Sequence, residues 1–327
     1  MIMCFYPVPK SERCKKNCLC QHKLQRWSIV MSFVLGTVQF GMNYGIQGRL
    51  KPSEEMVNEM LSLALEKKVE HFDTAFSYGN AEDLLGQYRI KNPDMAEKMH
   101  IISKLSPKAL AGRPKDMWKD IILKNSIQSI KRLNVNELEA YLFHNAEYIF
   151  DEYAVQALHF ACEENLAKKI GVSIYTPEEA MKALEYDQIK VIQVPYNVFD
   201  QRLDQYGFFG AAKEKGVEVY ARSSLLQGLL LIDPDYLPEN VRFARRYIER
   251  FLTICREYRI SPLKAAIGFV KEHTGIDYVV FGTDNKAQLR EYLSIHKEKL
   301  TEGLIKVLKK EFEDTEEKLV NPILWSK

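Results

Sequence analysis

What this 327-residue sequence lacks narrows its function first. No stretch approaches the ~18 consecutive apolar residues of a membrane span, so no membrane partner is expected. Excess charge is nearly absent: 46 Lys and Arg face 44 Asp and Glu, leaving +2. So even a balance gives no electrostatic footprint for nucleic acid or an anionic surface. Cysteine is scarce beyond the first 20 residues, where only Cys162 and Cys255 occur. Both sit in helical patterns and read as small buried apolar groups. A chain of this size needs no disulfide staples, so a cytoplasmic, reducing compartment is expected. Linkers, low-complexity runs and charge shifts that would split the chain are also missing. So is the G-x-G-x-x-G fingerprint of open dinucleotide-binding sheets, with its acid ~20 residues on.

Residues 1–28 carry six Lys or Arg against one acid, Glu12, with little apolar periodicity. The cluster Cys14-x3-Cys18-x-Cys20 with His22 and the earlier Cys4 matches no strong zinc spacing, and no metal is expected. Basic residues followed by 28–35 have the outline of a secretory signal. No small-residue cleavage site follows, however, and the next residues belong to the fold. Residues 1–30 read as a disordered leader or an over-extended start with Met31 as the real beginning. Residues 31–327 read as one domain ending in a helix.

From Ser32 the chain alternates. Short apolar, β-branched runs at 32–35, 69–73, 100–104, 138–143, 169–173, 191–194, 217–221 and 278–281 read as strands covered on both faces. Helical patterns stand between most of them: after Ser53, at 81–89, from Met117 through Ile130, at 153–165, after Thr176, and at 203–215. Further helices are expected at 239–258, 262–273, 286–296 and 300–319. Eight strands with intervening helices predict a (β/α)8 barrel, which at ~250 residues plus insertions suits this length. A doubly wound open sheet is the alternative.

In a barrel every strand ends at one opening. Strand two gives Asp73, with Tyr78 on the loop beyond it, strand three gives Lys104 and strand four His144. Ser173, Gln193 and Arg222-Ser223-Ser224 follow on strands five to seven. Any one of these has a bland reading, as a helix cap, a solvated lysine or a core histidine. Four titratable types on adjacent strand ends instead resemble an acid–base site. A phenol is a poor acid at neutrality; an ammonium nearby lowers its pKa, and an aspartate keeps that ammonium charged. A histidine can donate to a substrate oxygen. The set suits a carbonyl becoming an alcohol, with Tyr78 as proton donor. None of these side chains can supply a hydride, which a nicotinamide would.

The chain resembles the aldo-keto reductase family over about residues 32–296. The likeness rests on Leu35-Gly-Thr-Val-Gln-Phe-Gly41, on Phe72-Asp-Thr-Ala-Phe-Ser-Tyr-Gly79 with Ala81-Glu82 and Leu85-Gly86, and on Ile102-Ser-Lys104. It continues through Phe143-His144, Gly171-Val-Ser173, Gln193-Val-Pro-Tyr-Asn197, Ala221-Arg-Ser-Ser-Leu225 with Gln227-Gly228, and Phe281-Gly-Thr283. The resemblance implies a barrel enzyme using NADP(H) or NAD(H) on a small carbonyl or sugar substrate. Asp73, Tyr78, Lys104 and His144 match the family's catalytic tetrad. Ser173 and Gln193 would hold the carboxamide, and Ser223, Ser224 and Leu225 the pyrophosphate. Gly282, Thr283, Asp284 and Gln288 would hold the adenosine phosphate end, with Gly36 and Thr37 also at the cofactor.

Three positions depart from the pattern. Ile174 replaces a frequent Asn. Arg222 replaces an aromatic that often stacks on the nicotinamide; its guanidinium could stack or pair with a phosphate. Asp284 stands where NADPH-preferring members often place Lys or Arg, which tilts the expectation to NAD(H), while Lys286 and Arg290 argue back. Tyr44, Phe76, Tyr148, Tyr175 and Phe199 are candidates for an apolar mouth. A nucleotide-binding regulatory or sensor subunit on the same fold is the alternative function. A metal-dependent hydrolase would need His/Asp ligand pairs at strand ends that the sequence lacks. Oligomeric state is not legible.

Overall fold

Strand β1 (Ser32–Gly36) pairs in parallel with both β2 (His71–Asp73) and β8 (Tyr278–Gly282), and this double pairing closes the sheet. Between them run β3 (His100–Leu105), β4 (Ala140–Phe143), β5 (Ile170–Ser173), β6 (Ile189–Pro195) and β7 (Glu218–Arg222), each beside its neighbour in sequence. All eight are parallel, as the alternation of strand and helix predicts. The open-sheet alternative is overturned. The computed structural model describes residues 32–295 and 298–325. Residues 1–31, with Cys4, Cys14, Cys18, Cys20 and His22, and with them the expected leader, lie outside the described residues.

The strand residues divide between two packed regions. Val34, Ile102, Ala140, Leu142, Val191, Tyr220 and Val280 form a separate cluster inside the barrel. Their neighbours on the same strands, such as Leu35, Ile101, Tyr141 and Ile192, pack outward against the helices. That double burial is why the strands read as continuous apolar runs. At Gly171 the register of β5 on β6 shifts, and a Cβ there would lie 1.9 Å from the Val191 carbonyl oxygen. Only glycine permits that approach.

The helices begin where their caps predict. Ser53 accepts from the Met56 amide ahead of Glu54–Glu66. Thr176 and Glu179 form a reciprocal capping box ahead of Pro177–Ala183. Two helices expected to be continuous are broken. The 203–215 helix is split into Arg202–Gln205 and Phe208–Glu214 by Gly207, which sits at φ +66°. The 300–319 helix stops at Glu302–Glu311, and a short turn, Glu317–Val320, follows. There the Thr315 hydroxyl donates to the Phe312 carbonyl, and Glu313 and Asp314 oppose the helix dipole. The 239–258 helix opens as a 3-10 turn, Glu239–Ala244, and becomes α-helical at Arg245–Glu257.

Candidate active site

Asp73 closes β2 with its carboxylate turned into the protein rather than toward solvent. Its Oδ1 accepts from Lys104 Nζ at 2.7 Å and from Gln193 Nε2 at 2.7 Å. Lys104 Nζ also donates to the Thr74 carbonyl at 2.9 Å. Lys104 is 1% exposed and Asp73 5%. Strands β2, β3 and β6 thereby meet on one carboxylate. Burial lowers the Lys104 pKa, and Asp73 works against that by pairing and hydrogen bonding.

Tyr78 sits on a tight loop after β2. Its amide donates to Ala75 O at 3.0 Å, and its carbonyl accepts from the Ala81 amide at 3.0 Å. Gly79 next to it has φ +55°, and a Cβ there would stand 2.2 Å from Gly41 O. The loop is therefore pressed against the β1 loop and is available to glycine alone. Lys104 Nζ lies 5.1 Å from the centroid of the Tyr78 ring. The expected lowering of the phenol pKa by this lysine is not found. Burial and the Asp73 charge push it well above its usual value, with Arg222 opposing. Tyr78 is thus held as a protonated donor.

His144 follows β4 and meets Tyr78 edge to face, with ring centroids 5.5 Å apart. Its Nδ1 is 3.1 Å from Ser77 Oγ. Burial, and then the cations Lys104 and Arg222, hold its pKa down to about 3, so the ring is neutral. When Ser77 donates to Nδ1, Nε2 carries the proton.

Asp73, Tyr78 and His144 line one end of a cavity of about 610 Å3. Gly36, Thr37, Ser173, Gln193, Arg222, Ser223, Ser224, Leu225, Gly282, Asp284 and Gln288 line the same cavity. Of the residues anticipated from sequence, Lys104 lies beneath the wall behind Asp73, and Thr283 turns its hydroxyl to Asn285 O at 2.9 Å. The Thr37 hydroxyl is also used internally, donating to Asp73 O at 3.0 Å. Ser173 Oγ donates to Gln193 Oε1 and accepts from Arg222 Nε, both at 3.2 Å. Arg222 further donates to Ile174 O at 2.7 Å and to Ser223 Oγ at 3.1 Å, and it lies over the Tyr175 ring at 4.4 Å.

The loop after β7 is strained: Ser223, Leu226 and Gln227 all have positive φ. Non-glycine residues in that region cost energy and cluster at ligand sites. In the cavity wall, Ser224 Oγ and Gln39 Oε1 are buried without a partner among the described residues. Buried polar atoms are nearly always satisfied, so these two are free to bond a polar ligand atom. The residues present therefore fit a polar, elongated cofactor.

Sequence reasoning missed Arg49. It comes from a turn after β1, where Tyr44 and Arg49 bridge across Gly45 and Gly48, and its guanidinium pairs with Asp284 Oδ2 at 2.7 Å. Lys286 turns away to Glu59 at 3.3 Å. Of the five aromatics expected at the mouth, Tyr44 and Tyr175 line the cavity. Phe199 is core packing among Phe251, Phe312 and Tyr247. Phe76 carries Arg132 over its ring, and Tyr148 donates to Pro107 O.

Residues 32–310 match the sequence model of the aldo/keto reductase family. The chain belongs to that family. Its members generally use nicotinamide cofactors and act on small carbonyl substrates. An aldo-keto reductase of Gibberella moniliformis is 25% identical over 286 residues, covering 79% of this chain and 84% of that protein. L-glyceraldehyde 3-phosphate reductase of Escherichia coli K12 is 27% identical over 198 residues, 54% of each chain. The chain thus spans about half the length of that curated relative. A solved structure of Pseudomonas aeruginosa, assigned to the aldo-keto reductases, superposes with a TM-score of 0.61 at 21% identity, covering 81% of this chain and 88% of that one. At that identity it speaks for the barrel alone. Among the described residues no three His, Cys, Asp or Glu side chains stand close enough to hold a metal, and no helix is long and apolar enough to cross a membrane.

Proposed function

We propose that this aldo-keto reductase is an oxidoreductase that interconverts an aldehyde, ketone or sugar-like carbonyl with its alcohol. The observation that carries this reading is the meeting of a buried Asp73–Lys104 pair, a protonated Tyr78 and a neutral His144 at one end of a cavity. A bound nicotinamide supplies the hydride that none of these side chains can. Tyr78 gives its proton to the carbonyl oxygen as charge develops there, and His144 donates a hydrogen bond to the same atom from Nε2. Lys104 and Asp73 fix the charge beneath the phenol.

In this reading Ser173 and Gln193 hold the carboxamide, and Ser223, Ser224 and Leu225 receive the pyrophosphate. The loop of Gly282, Thr283, Asp284 and Gln288 takes the adenosine end, with Gly36 and Thr37 at the cavity floor. Asp284 suits a free 2′-hydroxyl, which favours NAD(H), whereas a 2′-phosphate has to draw Arg49 off Asp284. The activity named for the Escherichia coli relative, on L-glyceraldehyde 3-phosphate, agrees with a small polar aldehyde as substrate.

The test is Tyr78→Phe assayed against a carbonyl and sugar panel. Turnover should fall by about 10²–10⁴-fold, with nucleotide affinity changed by no more than about twofold. Unchanged turnover would overturn the role of Tyr78. Nucleotide binding without turnover on any carbonyl would favour the regulatory-subunit alternative.

A further inference from the structure

Charge is unevenly settled in and around the cavity. Asp73 is matched by Lys104, Asp200 by Arg202 at 2.8 Å, and Asp284 by Arg49. His144 is neutral. Among the charged side chains of the cavity lining that are not exposed, Arg222 alone has no ion-pair partner among the described residues, while the lining acids Asp233 and Glu291 are exposed. Within the described residues its three bonds go to the Ser173 and Ser223 hydroxyls and the Ile174 carbonyl. A guanidinium has five N–H donors and stays charged at every physiological pH. Two N–H groups are therefore without an acceptor, and the positive charge faces no carboxylate partner, only the Tyr175 ring at 4.4 Å.

That charge is placed with care. Arg222 Nε is bonded to the same Ser173 hydroxyl that donates to Gln193. On the functional reading above, Ser173 and Gln193 would receive the carboxamide, which would bring the nicotinamide ring to the side of the site that Arg222 occupies. The two redox forms of that ring differ in one respect that matters here: reduced nicotinamide is neutral, and oxidised nicotinamide carries a positive charge. We propose that Arg222 makes the site discriminate between the redox forms of the cofactor, holding the reduced, uncharged ring more tightly than the oxidised, cationic one. An aromatic at this position attracts a cationic ring through its π-face; a guanidinium repels it. The charge also reaches the rest of the site: burial raises the phenol pKa values of Tyr78 and Tyr44 and Arg222 opposes that rise, while at His144 Arg222 adds to the lowering by burial and Lys104.

The measurement is the ratio of dissociation constants, oxidised over reduced, by calorimetry or fluorescence with NAD+/NADH and NADP+/NADPH. Phosphate contacts are common to both redox forms and cancel in the ratio, which isolates the charge on the ring. Two unit charges a few ångströms apart near a protein surface shift an equilibrium by about tenfold or more. The wild-type ratio should therefore be at least about tenfold. Arg222→Gln should bring it down by about tenfold, and Arg222→Lys should keep most of it. Equal affinities in the wild type would overturn the proposal, a measurement that needs no variant to fold. A parallel loss of both affinities in Arg222→Gln with an unchanged ratio would also overturn it, making Arg222 a phosphate ligand. No binding of any nicotinamide nucleotide to the wild type would bring down the functional reading itself, a different and recognisable failure.

Discussion

Lys104 is the side chain on which the others depend. Removing one partner of a buried ion pair leaves an uncompensated charge, which costs about 3–5 kcal/mol. In Lys104→Met, Asp73 would keep only the Gln193 amide as a side-chain donor. The variant should lose stability on that scale in urea unfolding, and turnover with it. A loss below about 1 kcal/mol would show that Asp73 relaxes to solvent or is protonated in compensation. The grouping of Asp73, Tyr78, Lys104 and His144 was legible in the sequence because each stands at the end of its strand or on the loop just beyond it. The protonation state of Tyr78 was not. It depends on burial and on Asp73, and a chain of letters contains neither depth nor the angle from which Lys104 approaches the ring.

At the scale of elements, no sequence pattern announces what the turn after β1 joins. It is tied to two other strand-end loops, by the Ile46 amide to Gln227 O at 3.1 Å and by Arg49 to Asp284. The loops after β1, β7 and β8 are therefore joined into one rim of the cavity. Arg49 and Asp284 are separated by 235 positions, and only barrel closure brings β1 beside β8. With Arg49 in place, Asp284 is partly neutralised. Arg49→Ala should expose its full charge and weaken NADPH by about tenfold relative to NADH. Asp284→Asn should move the same ratio the other way. Titration of both nucleotides against both variants checks this, and a ratio unmoved in both would remove the pair from cofactor choice.

Over the whole molecule, the barrel was readable because β/α alternation carries topology, whereas the helix breaks at Gly207 and after Glu311 depend on a left-handed backbone position and a local cap. What no pattern announced is the titratable cluster at the opposite end from the site. His71 opens β2 and stacks on His100 with centroids 4.8 Å apart, near Glu139, Lys168 and Lys169. Burial, and then His100, lower the His71 pKa to about 4, while His144 lies at about 3. Glu139, although burial raises it, is drawn down to about 2 by hydrogen bonds from Lys168 and Lys169. A histidine kept neutral in the fold binds its proton more readily once unfolded, so acid favours unfolding between the two pKa values. The contribution of His71 is complete above about pH 6.5 and is lost as pH falls toward 4. That of Glu139 is present above its unfolded value of 4.5 and is lost only as pH falls toward 2. Acid destabilisation should therefore begin with the histidines and be completed by carboxylates. His71→Phe removes the His71 share of that first titration, leaving that of His144, while keeping a ring against His100 and Tyr278. Urea unfolding at pH 7.5 and 4.5 should show the variant gaining on the wild type as pH falls, and an identical stability difference at both pH values would exclude His71 as a source of the slope.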